Sequence, residues 1–193
     1  MLSQRPPYRP ARHSRKGLYG PQGTGLLLCG QPGKPLLCGG TGSQSALLEM
    51  PAQLPDRHEA GTANVPGIAG LLAGLQYIRN TGVETILRHE CQMREQAARL
   101  CSRFDRLRIF TGSPGTQTGV LSLVCAGMDT EDLAQCLAAR EICVRAGLHC
   151  APLAHRTVGT LKTGTVRFSP SAFNTSQQVV QFAQILQRTI RKM

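Results

Sequence analysis

The sequence predicts an α/β chain whose best-defined part is a small α+β module, a short sheet with helices on one face. Two observations carry that prediction. Helix-like and strand-like segments alternate through the second half, and apolar residues make up 41% of the chain, enough to build a core. A third bounds the organisation: 193 residues hold one ordinary domain, or one domain and part of another.

The elements follow in order. The first sixteen residues, MLSQRPPYRPARHSRK, contain four arginines, one lysine and no acid. Pro6, Pro7 and Pro10 oppose the amphipathic helix of a transit peptide, so residues 1–15 read as a basic, disordered tail. Lys16 to Gly30 reads as a glycine-rich turn entering a short buried strand, Leu26 to Cys29. CGGTGSQS, Cys38 to Ser45, is a second glycine-rich loop. A helix from about Val65 to Arg79 stops at Asn80 to Gly82. The next, about Val83 to Arg103, carries Val83, Ile86, Leu87, Cys91, Ala97, Ala98 and Cys101 near one face.

Leu107 to Phe110 and Val120 to Cys125 read as strands, and Asp129 caps a helix to about Arg140. Ile142 to Val144 is a short strand leading into a loop, and Gly164 to Ser169 is another strand. The last helix follows Asn174, with Val179, Val180, Phe182, Ala183, Leu186 and Ile190 on its apolar side.

The net charge of +11 admits three partners: nucleic acid, an anionic membrane or a small anionic ligand. With no Trp and 4% aromatics, the chain lacks the rings of a single-strand stacking platform, and no nucleic-acid fold signature is present. No apolar run is long enough to span a bilayer; Val65 to Ile78 is too short and opens on Pro-Gly. Neither a nucleic acid nor a membrane is therefore the expected partner. The eight cysteines are scattered without a C-x-x-C pair, which opposes a zinc knuckle and a dense disulfide framework; no metal site is expected. Reduced thiols in a cytoplasm are the expectation.

One cysteine stands apart. In RAGLHCAPLAH, Arg145 to His155, Cys150 lies between two histidines and behind an arginine, in a stretch broken by a glycine and a proline. Nearby cations lower a thiol's pKa, and Arg145, His149 and His155 supply such a field. The other cysteines read mostly as buried core residues.

KGLYGPQGTG, GGTGS, RHEAGTANVPGIAGL, RAGLHCAPLAH and GTVRFSPSAFNT occur in that order. Together they resemble the C-terminal half of the cysteine desulfurase and selenocysteine lyase family, the class V aminotransferase-like branch of fold-type I pyridoxal phosphate enzymes. The resemblance covers nearly the whole chain from Lys16 onward. It implies pyridoxal 5'-phosphate as cofactor and L-cysteine or L-selenocysteine as substrate. In the family a lysine at the position of Lys16 forms the Schiff base with the cofactor and later moves the α-proton. Gly40 and Thr41 of GGTGS match the loop that reaches a cofactor phosphate across the family's homodimer. Thr62 and Asn64 of GTAN match the active-site-facing loop, Thr62 on the cofactor side and Asn64 on the substrate side. Cys150 matches the cysteine that takes sulfur from the substrate, leaving alanine and a persulfide for an acceptor protein. Arg167 matches the arginine that holds the substrate carboxylate, with Arg145 a second candidate beside it.

The match has a boundary. The family's pyridinium-pairing aspartate and ring-stacking histidine lie upstream of the lysine, where fifteen residues without an acid stand here. Ser14 and Arg15 replace the family's small residue and histidine. The expectation is a truncated or frame-disrupted chain: a tail over 1–15, a remnant of the large cofactor-binding domain over 16–82, and the small domain over 83–193. Such a chain exposes apolar strand faces such as Leu26 to Leu28 and lacks the large domain's share of the dimer interface. Its function is then that of an incomplete cysteine desulfurase. The alternatives are a non-catalytic remnant or partner-binding module, and a class V aminotransferase-like enzyme with another substrate.

Overall fold

In the computed structural model of the protein, residues 8–13, 17–29, 33–44, 46–113 and 115–191 are described. The chain divides into two compact units, Met1–Thr81 and Gly82–Met193.

In the first unit, β1 (Tyr8–His13) pairs antiparallel with β2 (Gly25–Cys29). Composition predicts a disordered tail over residues 1–15, yet residues 8–13 form a strand. The ladder slips between Arg9 and Arg12, and Pro10, which has no N–H to donate, sits in that irregularity where a strand tolerates it. β2 is not the buried strand its leucines suggest: Leu27 and Leu28 are 50% and 52% exposed. Helix α1 (Val65–Thr81) starts at Asn64, whose Oδ1 accepts from Gly67 N at 3.1 Å, satisfying one orphan donor of the first turn. Its buried residues are Gly67, Leu71 and Gly74. The two glycines, with Gly70 between them, let segment 18–24 lie close against the helix. A Cβ on Gly70 would stand 2.9 Å from Pro21 Cδ, and one on Gly74 would strike the Leu18 carbonyl oxygen.

The second unit begins at Gly82, whose φ of 88° breaks the helical run, a conformation that only glycine adopts readily. Helix α2 (Val83–Cys101) follows, then β3 (Leu107–Phe110), β4 (Leu121–Cys125), α3 (Thr130–Ala138), α4 (Pro152–Thr157), β5 (Val166–Phe168) and α5 (Ser176–Arg191). The strands form an antiparallel sheet in the order β3-β4-β5. β4 alternates strictly, with Leu121, Leu123 and Cys125 buried, which marks one face as core. Against that face pack Val166 from β5, Leu133 and Leu137 from α3, and Val179, Phe182, Leu186 and Ile190 from α5. Burying each such side chain stabilises the unit by about 1.5–3 kcal/mol.

The expected apolar face of α5 is buried except Val180, with Thr189 added. On α2 the face begins later than expected: Met93, Arg94, Ala97 and Cys101 are buried, whereas Val83 and Leu87 stay 61% and 45% exposed. The first turns of α2 lack a cover that the last turns receive from the core. Asp129 caps α3 as expected, its side chain accepting from Glu131 N at 2.8 Å.

Two local expectations fail. Ile142–Val144 is no strand; instead Arg145 forms a single bridge to Arg167. A left-handed residue on each side, Glu141 at φ 61° and Gly147 at φ 101°, keeps this edge from running as a ladder. The stretch after Cys150, read as loop, contains α4, with Pro152 in its first turn, where a missing N–H costs nothing.

Candidate active site

The residues singled out in the sequence are carried by both units. In Met1–Thr81, Lys16 lies outside the described residues. The loop containing Gly40 and Thr41 is largely exposed, and Gly40 O accepts from Gly61 N at 2.7 Å. That bond brings GGTGS next to GTAN. Thr41 Oγ1 and Ser43 Oγ share one hydrogen bond of 3.0 Å, leaving lone pairs, backbone N–H groups and little steric bulk on the loop. Such a loop fits a phosphate. Thr62 is exposed. Asn64 is engaged in capping α1 through Oδ1, so its carbonyl oxygen serves the helix, whatever its amide nitrogen reaches.

In Gly82–Met193 the geometry is tighter. Arg145 N donates to Arg167 O at 3.2 Å, and Arg167 N donates to Arg145 O at 2.7 Å. A pair that exchanges both bonds places its side chains on the same face. Two guanidiniums thus leave one face from directly opposed backbone positions, an arrangement that repels when nothing anionic lies between. Val166 on the other face is fully buried, and Phe168 stacks on Phe182 with centroids 4.5 Å apart. This packing fixes β5 and hence the root of Arg167. The Nε of Arg167 is shielded from solvent and has no hydrogen-bond partner, a buried donor that an incoming carboxylate oxygen would satisfy.

Cys150 is exposed on the turn that follows. His149 and Cys150 both have left-handed backbones, φ 52° and 60°, a strained state for two consecutive non-glycine residues. Several bonds hold the turn. Gly147 and Thr165 exchange backbone hydrogen bonds of 3.1 Å, and Ala151 N donates to Leu148 O at 2.9 Å. His149 Nε2 lies 3.1 Å from the Thr165 carbonyl oxygen and 3.2 Å from its Oγ1. Behind it, buried His155 on α4 bonds Thr160 Oγ1 through Nδ1 at 2.8 Å, and the two imidazoles lie 5.8 Å apart.

The structure corrects one part of the expected field around Cys150. Burial first, and the neighbouring Arg167 charge second, push the His149 pKa down. His149 is held toward its neutral form and supplies no positive charge. The cysteines also sort differently from expectation. Among the described ones only Cys101 and Cys125 are buried; Cys38 and Cys143 are as exposed as Cys150. Burial pushes the Cys101 thiol up to about 12 and raises that of Cys125, where the Arg106 charge opposes it. Thr160 and Thr165, which order the two histidines, were not evident from the sequence. The only signal was the run of two histidines around a cysteine ahead of a Thr-rich segment.

The Aminotransferase class-V family profile matches residues 11–182. The chain belongs to that family. A probable cysteine desulfurase from Methanothermobacter thermautotrophicus is 34% identical over 183 residues, which cover 89% of this chain and 45% of the relative. One from Xylella fastidiosa is 31% identical, covering 91% of this chain and 43% of the relative. Among solved structures, an apo cysteine desulfurase from Thermococcus onnurineus superposes with a TM-score of 0.84 at 28% identity, covering 95% of this chain and 47% of that one. The cysteine desulfurase CsdA from Escherichia coli gives 0.82 at 26%, covering 95% and 46%. The chain spans about half the length of the curated relatives it matches. No helix among the described residues is long and apolar enough to cross a membrane.

Proposed function

We propose that the chain carries the sulfur-accepting half of a pyridoxal phosphate-dependent cysteine desulfurase. The observation that carries the reading is the exposed Cys150 on a strained, hydrogen-bonded turn beside the paired Arg145 and Arg167. The relatives named above are cysteine desulfurases, which favours L-cysteine over L-selenocysteine as substrate.

The residues present fit one end of the cofactor. The loop of Gly40 and Thr41 offers donors to its phosphate, Thr62 stands on the adjoining loop, and Lys16 offers the amine for its carbonyl carbon. Nothing here is assigned to the pyridine nitrogen or the ring face. When bound, pyridoxal phosphate supplies the electron sink that loosens bonds at the substrate's Cα and Cβ. This chain's own residues do the rest. Arg167, with Arg145 beside it, fixes the substrate carboxylate. Lys16 moves the proton at Cα. Cys150 Sγ, having lost its proton, attacks the substrate sulfur: an S–S bond forms as the Cβ–S bond breaks, its electron pair stays with carbon, Cβ takes up a proton, and the substrate leaves as alanine with Cys150 left as a persulfide. A sulfur-acceptor protein then removes that sulfur. The proposal extends to a homodimer in a reducing, cytoplasmic setting.

The test is a pyridoxal phosphate titration of the purified chain followed by visible absorbance, with Lys16→Ala alongside. The reading expects a saturable band that the variant lacks. An identical band in the variant refutes Lys16 as the attachment point. A second reading, a non-catalytic module that docks a partner, is favoured by the exposed leucines of β2 and by Val65, Ile68 and Leu72 on one side of α1. The absence of any specific band selects it.

A further inference from the structure

The turn between α2 and β3 and the last turn of α5 border a cavity of about 390 Å³. Its walls carry three arginines, Arg103, Arg106 and Arg191, against one acid, Asp105, with the apolar surfaces of Phe104 and Ile190. Like charges gathered on one cavity repel unless an anion lies among them. Among the described residues the only ion pair is Arg94 with Glu95, so Asp105 neutralises none of the three by direct contact.

Arg106 is fixed in place. Its Nε and Nη2 donate to the Ala126 carbonyl oxygen at 3.3 and 2.8 Å, and its Nη1 donates to Ile190 O at 3.1 Å. The last bond satisfies a carbonyl at the end of α5. Gly127, at φ 76°, leaves room for this: a Cβ there would stand 3.2 Å from Arg106 Nη2. A guanidinium has five N–H donors; three are used here, and two remain for a ligand. Arg103 and Arg191 are exposed, and their side chains bond nothing among the described residues. The ends of α2 and α5 favour nearby cations, but each amounts to a partial charge of only about −0.5. Three guanidiniums against Asp105 and two helix ends leave the cavity with an excess of positive charge.

We infer that this cavity binds a small organic phosphate monoester, with its terminal oxygens toward Arg103, Arg106 and Arg191 and its apolar body against Phe104 and Ile190. A carboxylate presents two oxygens in one plane and occupies a single guanidinium fork, whereas a phosphate monoester offers three oxygens in three directions. The volume is that of a small-molecule site, which runs from about 300 to 1,000 Å³. The site shares no residue with Cys150, Arg145 or Arg167, and it stands whether or not the chain is a desulfurase.

The test is a titration of the full chain with phenyl phosphate, followed by calorimetry and by NMR of backbone amides and arginine Nε–H groups. Benzoate and benzyl alcohol serve as the carboxylate and neutral comparisons. Saturable shifts of the Arg103 and Arg106 resonances are expected, with phenyl phosphate bound at least about fivefold more tightly than benzoate and benzyl alcohol not bound. Arg103→Gln and Arg191→Gln each remove an exposed charge-assisted donor and should weaken phenyl phosphate binding about tenfold. Lys162→Gln removes the same charge from an exposed position off the cavity and should leave binding unchanged. Equal weakening by Lys162→Gln overturns the inference, because the attraction is then that of a +11 chain for any anion. A titration that does not saturate, or benzoate bound as tightly as phenyl phosphate, overturns it too. Shifts confined to the loop of Gly40 and Thr41 would place the phosphate at the proposed cofactor loop, which overturns this site and leaves the desulfurase reading intact.

Discussion

Replacing Arg145 by glutamine tests whether the two facing arginines form an anion site or merely decorate a strand edge. The backbone bonds between Arg145 and Arg167 survive the change, so the fold is kept while one of two like charges is removed. Opposed residues of this kind start about 5.5 Å apart at Cα. With the guanidiniums about 7 Å apart and an effective dielectric constant of about 60, their repulsion is about 0.8 kcal/mol. That agrees with the roughly 0.2–1 kcal/mol typical of cross-strand pairs. The variant should therefore be more stable than the wild type, by about 3 °C in melting temperature at low salt. Thermal unfolding followed by circular dichroism measures this, with and without propionate as a carboxylate probe. Propionate should raise the wild-type melting temperature more than that of Arg145→Gln, and added salt should close the gap between them. A variant less stable than the wild type, or a gap insensitive to salt and propionate, refutes the reasoning.

Other predictions concern packing, pH and thiol chemistry. Gly74→Ala gains about 1 kcal/mol of helix propensity but drives a methyl into the Leu18 carbonyl, an overpacking that costs about 1–3 kcal/mol; limited trypsinolysis should show residues 17–81 loosened, while Leu72→Ala on the exposed side of α1 should not. Because the His149 pKa is depressed in the folded state, its contribution to stability is complete above the ordinary histidine value of about 6.5 and is lost as pH falls through the depressed value. Urea unfolding of wild type and His149→Asn at pH 7.5 and pH 5 should show the larger acid loss in the wild type. Cys101, with a thiol pushed up to about 12 by burial, should resist alkylation at pH 8 until denaturant is added, while Cys150 reacts in the native chain.

Periodicity was sufficient for the helices whose apolar residues repeat at helical spacing. Val179, Phe182, Leu186 and Ile190 define α5 from sequence and are its buried face. The Asp129 cap and the alternation of β4 were legible for the same reason: each is a local pattern with a local cause. Pairing between distant segments was not. Nothing in Tyr8–His13 announces β2 as its partner, and the facing of Arg145 and Arg167 depends on a register set by Gly147 and Thr165. Proline misled twice, once at Pro10, which sits in a ladder irregularity, and once at Pro152, which begins α4.

At the site, Cys150 and Arg167 stood out because their neighbours carried motifs. The neutral state of His149 did not, because it follows from burial and from a charge eighteen residues away. The order of a sequence records which groups are adjacent along the chain, whereas their electrostatics depend on which groups meet in space.

The central claim is that Cys150 accepts sulfur from a substrate held by Arg167. Its most direct test is incubation of the chain with pyridoxal phosphate and L-cysteine, followed by trypsin and mass analysis of the peptide from Ala146 to Arg156. The account predicts one added sulfur on Cys150, absent in Arg167→Gln and without cofactor, with Cys143 unmodified. Persulfide spread equally over Cys143 and Cys150, or none on Cys150 in a chain that binds the cofactor, would contradict it.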